Sequence, residues 1–264
     1  MTQHVALLTQ HHKAGFIAPA MQELDWQIST IACFDTDLLG SFAGEHARFM
    51  APHECAFRKA ALAADLSGLA IGLGSEGSYS AGPYGLGTVN LELLCCINVE
   101  QGWAVTGRYY APSRAQQWHI ASEEALQQAI AQVCPGQHVL IQQEDEFAKG
   151  LTPTQALRLA PAMLKQGPLE LRYDLRAHLS PERQQHILLA AEDLVRRMNS
   201  TCPKCHTPGF VPDITIPGLP CEACGAATRL ILQHQAVCQR CEYQQLYPAK
   251  QPFANPQYCP ECNP

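Results

Sequence analysis

The sequence predicts an α/β protein with a mixed-sheet N-terminal domain, a helical middle segment and C-terminal tandem zinc ribbons. Three observations predict it. Short apolar runs alternate with helical patterns over the first 110 residues, two strand patterns then meet at a glycine-containing turn, and the last quarter holds four Cys-x-x-Cys pairs.

The elements follow in order. His4 to Leu8 is a short apolar run ending at Thr9 and reads as a buried first strand. Lys13 to Leu24 has helical spacing, and Gln27 to Cys33 alternates like a strand. Phe34 to Pro52 reads as a long loop rich in Asp, Gly and small residues. His53 to Leu66 is an Ala-rich helix, and Leu69 to Leu73 a strand running into the turn-like Gly74-Ser75-Glu76-Gly77-Ser78. Val89 to Val99 and Trp103 to Tyr110 form a hairpin around Glu100-Gln101-Gly102. Beyond Pro112, Ser122 caps a helix running to Val133, and His138 to Gln142 is strand-like. Thr152-Pro153 and Ser180-Pro181 each open a helix with Pro at its first position, the second an amphipathic helix ending near Asn199. The expected domains are 1–112, a helical extension 113–200, and a zinc-ribbon domain 201–264.

The pairs Cys202/Cys205, Cys221/Cys224, Cys238/Cys241 and Cys259/Cys262 supply eight thiolates, enough for two tetrahedral zinc sites of four cysteines each. Gaps of fifteen and seventeen residues within the first two and last two pairs suit consecutive ribbons. Cross-braced pairing, first with third and second with fourth, is the geometric alternative. The N-terminus shows no secretory pattern and no apolar run approaches a membrane span, so a soluble, reducing, cytoplasmic setting is expected, where such cysteines bind metal rather than pair as disulfides. Redox catalysis would need a single pair at a helix start after a strand. The other five cysteines, Cys33, Cys55, Cys95, Cys96 and Cys134, sit among apolar neighbours as small hydrophobes.

Charge argues against nucleic acid. The chain carries 18 Lys/Arg against 24 Asp/Glu, and its tail has four of each before eight thiolates and two zinc ions make it net acidic. A nucleic-acid reader normally shows a basic face. The oligomeric state is not encoded legibly.

Four segments carry candidate chemistry. Phe34 to Glu45 holds Asp35, Asp37 and Glu45 in an otherwise apolar loop, with Arg48 beyond; such carboxylates suit Mg²⁺ or a solvated loop of Asx turns. Ser75 and Glu76 follow a strand, where α/β ligands bind, or form an exposed tight turn. Lys59 in the Ala-rich helix is a phosphate partner or a solvated surface lysine. Asp174, Arg176 and His178 alternate, with Arg183 one turn into the following helix; they read as an anion site or as a salt-bridge network docking that helix.

Thr9 to Lys13, Glu45, Cys55-Ala56-Phe57-Arg58-Lys59-Ala60 and Ser75-Glu76-Gly77 together resemble motifs of the inosine/xanthosine triphosphate pyrophosphatase superfamily. The Trp103 to Arg108 strand is similar to that superfamily's second hairpin strand. The resemblance implies phosphate binding by Thr9, His12 and Lys13 and by Lys59, with Glu45 and Glu76 on Mg²⁺. The chain departs from the pattern in placing His11 or His12 at the first-loop Asn, Lys13 one residue early, Cys55 at the helix Asn, and Glu76 for a tandem acidic pair. A longer resemblance is to an uncharacterised bacterial family, a domain of unknown function. It rests on Phe34 to Glu45, Ser75 to Tyr79, Asp174 to Arg183, Cys202 to Cys205 and Gly218 to Gly225, and implies no established activity.

The expected function is metal-dependent hydrolysis of a nucleotide or other phosphorylated small molecule, with two structural zinc ions. Asp35 or Asp37 would orient the attacking water, while Arg48, Ser75, Arg176, His178 and Arg183 would contact substrate. The alternative is a non-enzymatic adaptor whose ribbons bind protein or nucleic acid, using Tyr243, Tyr247, Phe253 and Tyr258 unless these pack on the knuckles.

Overall fold

The computed structural model describes residues 2–9, 12–39 and 49–264; Glu45, Arg48 and the side chain of Asp37 lie outside the described residues. The chain divides into two units, the first comprising 1–102 with 106–195 and the second 103–105 with 196–264. Among the described residues no helix is long and apolar enough to cross a membrane.

The first unit opens with β1 (Gln3–Leu8), α1 (Ala14–Met21), β2 (Trp26–Ile31), α2 (Pro52–Ser67), β3 (Ile71–Ala81), β4 (Thr88–Asn98) and β5 (Trp103–Ser113). They build a five-stranded mixed sheet in the order β2-β1-β3-β4-β5. β1 lies parallel to both β2 and β3, and β4 is antiparallel to β3. Val5 to Leu8 are buried, as a central parallel strand covered on both faces requires.

The alanines of α2 face the sheet: Ala56, Ala60, Ala63 and Ala64 are buried. Their small size brings the helix backbone close to β3, and the strand answers with Gly72 and Gly74. A Cβ on Gly74 would run into the Ala56 carbonyl and the Ala60 amide. This overturns the expectation of a turn at Gly74 to Ser78. The glycines there mark close helix approach, and β3 continues in unbroken register with β4 to the Ala81↔Thr88 pair. Gly74→Ala is expected to destabilise the chain by about 1–3 kcal/mol or more, because the obstruction is backbone and cannot rotate away; the urea midpoint measures it.

The middle segment is more than a helical extension. β6 (Gln117–Ile120), α3 (Glu123–Ala131), β7 (Val139–Gln143), β8 (Glu146–Leu151), α4 (Pro153–Leu164) and β9 (Leu169–Tyr173) form a second, antiparallel sheet, ordered β6-β9-β7-β8. Leu126, Ala129, Ala156 and Ala160 of the helices share one core with Ile120, Val139, Ile141, Leu169 and Leu171. The helix starts are as expected. The Ser122 side chain accepts from Ala125 N, and Thr152 and Gln155 form a reciprocal capping box ahead of Pro153. α5 (Pro181–Asn199) follows. It packs on β5 at Gly107, where a Cβ would meet the backbone of Ala190 and Leu194.

The second unit is a three-stranded antiparallel sheet, β10 (Ile214–Pro217), β11 (Ile231–Val237) and β12 (Gln244–Pro248), in chain order. The four cysteine pairs lie before, between and after these strands.

Candidate functional site

β1 stops at Leu8, opposite Gly74, so β3 runs on past its neighbour and leaves an edge open. Lys13 fills that edge. Its Nζ donates to the Ser75 carbonyl at 3.3 Å and to Ser75 Oγ at 3.2 Å. Burial, then the nearby Arg183 guanidinium, lowers the Lys13 pKa from 10.5 to about 8, against the opposing pull of Glu92.

The next residue, Glu76, faces α2. Lys59 Nζ donates to Glu76 Oε2 at 2.6 Å and Cys55 Sγ to the same oxygen at 3.3 Å. Cys55 and Lys59 are four apart, on one face of the helix. Glu76 is only 5% exposed and Lys59 7%, so this is a buried ion pair rather than a strand-end carboxylate in solvent.

The opposite face carries a second buried pair. Gly77 is paired with Glu92 of β4, and the space a side chain would take above Gly77 is filled by the Arg183 guanidinium. Arg183 grips Glu92 with both forks, Nε to Oε1 at 2.6 Å and Nη2 to Oε2 at 3.0 Å, while Nη1 donates to the Leu175 carbonyl. Burial works against the Arg183 charge, but Glu92 outweighs it and raises its pKa. Asn90, two residues along the same face, donates to Glu92 Oε1 and to the Ser78 carbonyl and pairs with His186 Nδ1 at 2.8 Å.

A cleft of about 830 Å³ opens at the carboxyl ends of β1 and β2, lined by Thr9, His12, Ala14, Gly15, Thr30, Ala32, Arg176 and His178. This is where ligands enter open α/β sheets. Lys13 sits in its wall, between the lining residues His12 and Ala14. His12 adopts a left-handed φ of 53°, and its ring meets His178 edge-on at 6.0 Å. Asp174 positions Arg176, receiving its Nη2 at 2.7 Å and Nε at 3.0 Å, plus the Gly150 amide at 2.9 Å. Burial resists the Asp174 charge, yet these bonds hold its carboxyl below the usual range.

Of the sequence-predicted residues, Thr9, His12, Arg176 and His178 therefore line one cleft, and Lys13, Lys59, Ser75, Glu76 and Arg183 cluster on the adjoining length of β3. Asp35 is exposed and is not among the lining residues. The expected alternation from Asp174 to His178 breaks after Arg176, because Ala177–Leu179 turns into one 3-10 turn. Arg183 fits the docking reading, holding α5 against β4. Glu92, Asn90 and His186 went unread. The polar pair Asn90 and Glu92 inside the apolar strand Val89 to Ile97 was the available signal.

The cysteines form two groups: Cys202, Cys205, Cys238 and Cys241, and Cys221, Cys224, Cys259 and Cys262. The first knuckle thus joins the third and the second the fourth, which corrects the consecutive-ribbon pairing. The strands explain it. One strand separates each knuckle from the next, so the chain crosses the sheet once per gap and successive knuckles land at alternate ends. Each knuckle is the same turn, in which the amide of His206, Gly225, Glu242 or Asn263 donates to the carbonyl of the cysteine four residues earlier. Sulfur separations of 3.6 and 3.4 Å in the first group and 3.9 and 3.6 Å in the second match the roughly 3.8 Å edge of a tetrahedron with Zn–S of about 2.3 Å. Both groups could hold zinc. Tyr243 stacks on Phe210 at 5.8 Å and Lys204 lies over the Tyr243 ring, so this tyrosine packs on a knuckle; Tyr247 joins the same cluster, while Phe253 and Tyr258 stay exposed.

A family model described as Domain of unknown function (DUF6671) matches residues 59–264, most of the chain. The chain belongs to the DUF6671 family. The matched region of this DUF6671 member takes in Lys59, both buried ion pairs, Arg176, His178 and all eight cysteines; Thr9, His12 and Lys13 precede it. No curated protein matches the chain.

Proposed function

We propose that the first unit hydrolyses a phosphorylated small molecule, most naturally a nucleotide, and that two structural zinc ions hold the second unit together. One observation carries the reading: cationic Lys13, Lys59, Arg176 and Arg183 and the carboxylates Glu76 and Glu92 gather at and behind a cleft at the ends of parallel strands. The resemblance to the inosine/xanthosine triphosphate pyrophosphatases points the same way.

In this reading Arg176, oriented by Asp174, takes a phosphate through its planar fork, and Thr9, His12 and His178 hydrogen-bond the same group. Lys13 adds charge from the wall. Asp35 or Asp37 orients the attacking water. Mg²⁺, when bound by Glu76 and Glu45, would neutralise phosphate charge. Among the described residues the oxygen donors do not gather into a ready cation site: Glu76 Oε2 is held by Lys59 and Cys55. No step is therefore assigned to the ion.

The test is release of phosphate or pyrophosphate from a nucleotide panel, with and without Mg²⁺. Glu76→Gln is expected to abolish turnover, and because it also strips Lys59 of its partner, a melting curve must accompany it. Turnover equal to wild type in a folded Glu76→Gln protein refutes the assignment. Lys13 adds a pH signature. Below about pH 8 it is protonated and attracts phosphate; above, it is neutral, so KM is expected to rise from pH 7 to pH 9. Lys13→Met should flatten that limb.

A further inference from the structure

We propose that a second cleft in the first unit, on the β5 side of the mixed sheet, binds an amino-bearing heteroaromatic ring of the nucleobase class, with His186 Nε2 as its fixed hydrogen-bond acceptor. The cleft measures about 500 Å³, within the usual range of small-molecule sites, and shares no lining residue with the cleft at Thr9 and Arg176. It stands independently of the hydrolase reading.

The orientation of His186 is set from inside the protein. Arg183 holds Glu92 in its ionised form. Asn90 Nδ2 donates to Glu92 Oε1 and to the Ser78 carbonyl, which determines which end of that amide is nitrogen. Asn90 Oδ1 therefore faces His186 Nδ1, and since it can only accept, Nδ1 must carry the proton. Nε2 is left with a lone pair, bonds no described residue, and belongs to a ring that lines the cleft. A neutral imidazole fixed in one tautomer is an acceptor that cannot reorient.

The remaining lining makes the same demand. Both donated contacts of Gln137 Nε2 go to the carbonyls of His138 and Asp174, leaving Oε1 as its uncommitted atom. Glu182 contributes a carboxylate, already accepting from Ser113 Oγ at 2.7 Å. Three acceptors thus meet an aromatic wall, Tyr109, whose ring lies 5.0 Å from that of His186, with Tyr173 also lining the cleft. A flat ring bearing N–H and NH₂ donors satisfies both the acceptors and the wall. A phosphate-rich ligand would meet mostly acceptors of its own kind.

Protonation of His186 would turn Nε2 into a donor. The charged and titratable groups around it are Glu92 on β4, Glu182 and Arg183 on α5, Tyr109 on β5, Arg114 after it, and Cys134 and Tyr173 from the second sheet. The two carboxylates favour protonation; burial and Arg183 oppose it and prevail, lowering the pKa from 6.5. The ring is neutral at pH 7.5 and gains its proton on the acid side.

Calorimetric titration of the full chain with free adenine and with cytosine tests the proposal, since neither carries phosphate. Binding of at least one base is expected at pH 7.5, weakening about ten-fold or more toward pH 5 and about ten-fold or more in His186→Ala, the order of one well-made buried hydrogen bond. Tyr109→Ala, which touches no member of the Asn90–Glu92 chain, should weaken it similarly and keeps the test readable if His186→Ala does not fold. Arg176→Ala, in the other cleft, should leave it unchanged. Failure of both bases to bind at millimolar concentration, binding that survives Tyr109→Ala or a folded His186→Ala, or loss in Arg176→Ala would overturn it.

Discussion

Cys238→Ser is expected to lower the zinc content of the purified chain from two ions to one and to unfold much of the second unit. A structural zinc contributes on the order of 10–16 kcal/mol to small zinc-finger folds, and binding is folding for such units. This one has little else to rely on: the core around its first cysteine group is Cys202, Phe210, Ala236 and Cys238, with Cys205, Tyr243 and Tyr247 packed against it. The interleaved pairing gives the prediction a sharper form. Cys202→Ser and Cys238→Ser disable the same group, so the double variant should still retain one ion. Cys221→Ser with Cys238→Ser disables both and should retain none. Consecutive ribbons would give the opposite pattern for the first pair, because Cys202 and Cys238 would then belong to different sites. Metal quantification per chain, after desalting, separates the two.

Arg183→Met is expected to cost about 3–5 kcal/mol, because it leaves Glu92 charged, buried and without its guanidinium. That is a large fraction of the ~5–15 kcal/mol available to a typical domain. Arg183 is 1% exposed and Glu92 fully buried, so water cannot take over the lost bonds. Glu92→Leu should be comparably harmful, stranding the guanidinium instead. The double variant, Arg183→Met with Glu92→Leu, removes both charges and is expected to recover part of the loss, since two apolar side chains avoid the desolvation that the ion pair must offset. Urea denaturation followed by helical circular dichroism measures all three. A Glu92→Leu protein as stable as the wild type would contradict the picture of a buried pair that docks α5 on the sheet.

Local signals are legible where the physics is local. Ser122, Thr152-Pro153 and Ser180-Pro181 announce three helix starts because capping is decided within four residues. Each Cys-x-x-Cys announces a knuckle for the same reason. β3 is misleading at Gly74 to Ser78, since glycine and serine favour turns unless a helix backbone needs their space, and that helix lies in the fold rather than in the pentapeptide. β6, β8 and β9 escape because strands of four to six residues without strict alternation carry little signal; only their sheet partners reveal them.

The candidate site divides along the same line. Lys13, Lys59, Ser75, Glu76, Arg176 and His178 were legible as residue types out of place in their segments. That Lys13 meets Ser75 across 62 positions, and Arg183 meets Glu92 across 91, was not. Those contacts follow from strand order and from glycines that let helices approach, properties of the assembled sheet.

By itself the sequence determined the α/β class, the helix boundaries and the presence of eight metal-ready thiolates, because periodicity, capping and the Cys-x-x-Cys turn are short-range. Only the tertiary structure decided which cysteines share a site, which charges are buried in pairs, and that residues near 10 and near 177 line one cleft. The physical reason is that pairing across a sheet depends on how many times the chain crosses it, and a count of crossings is written in no single segment.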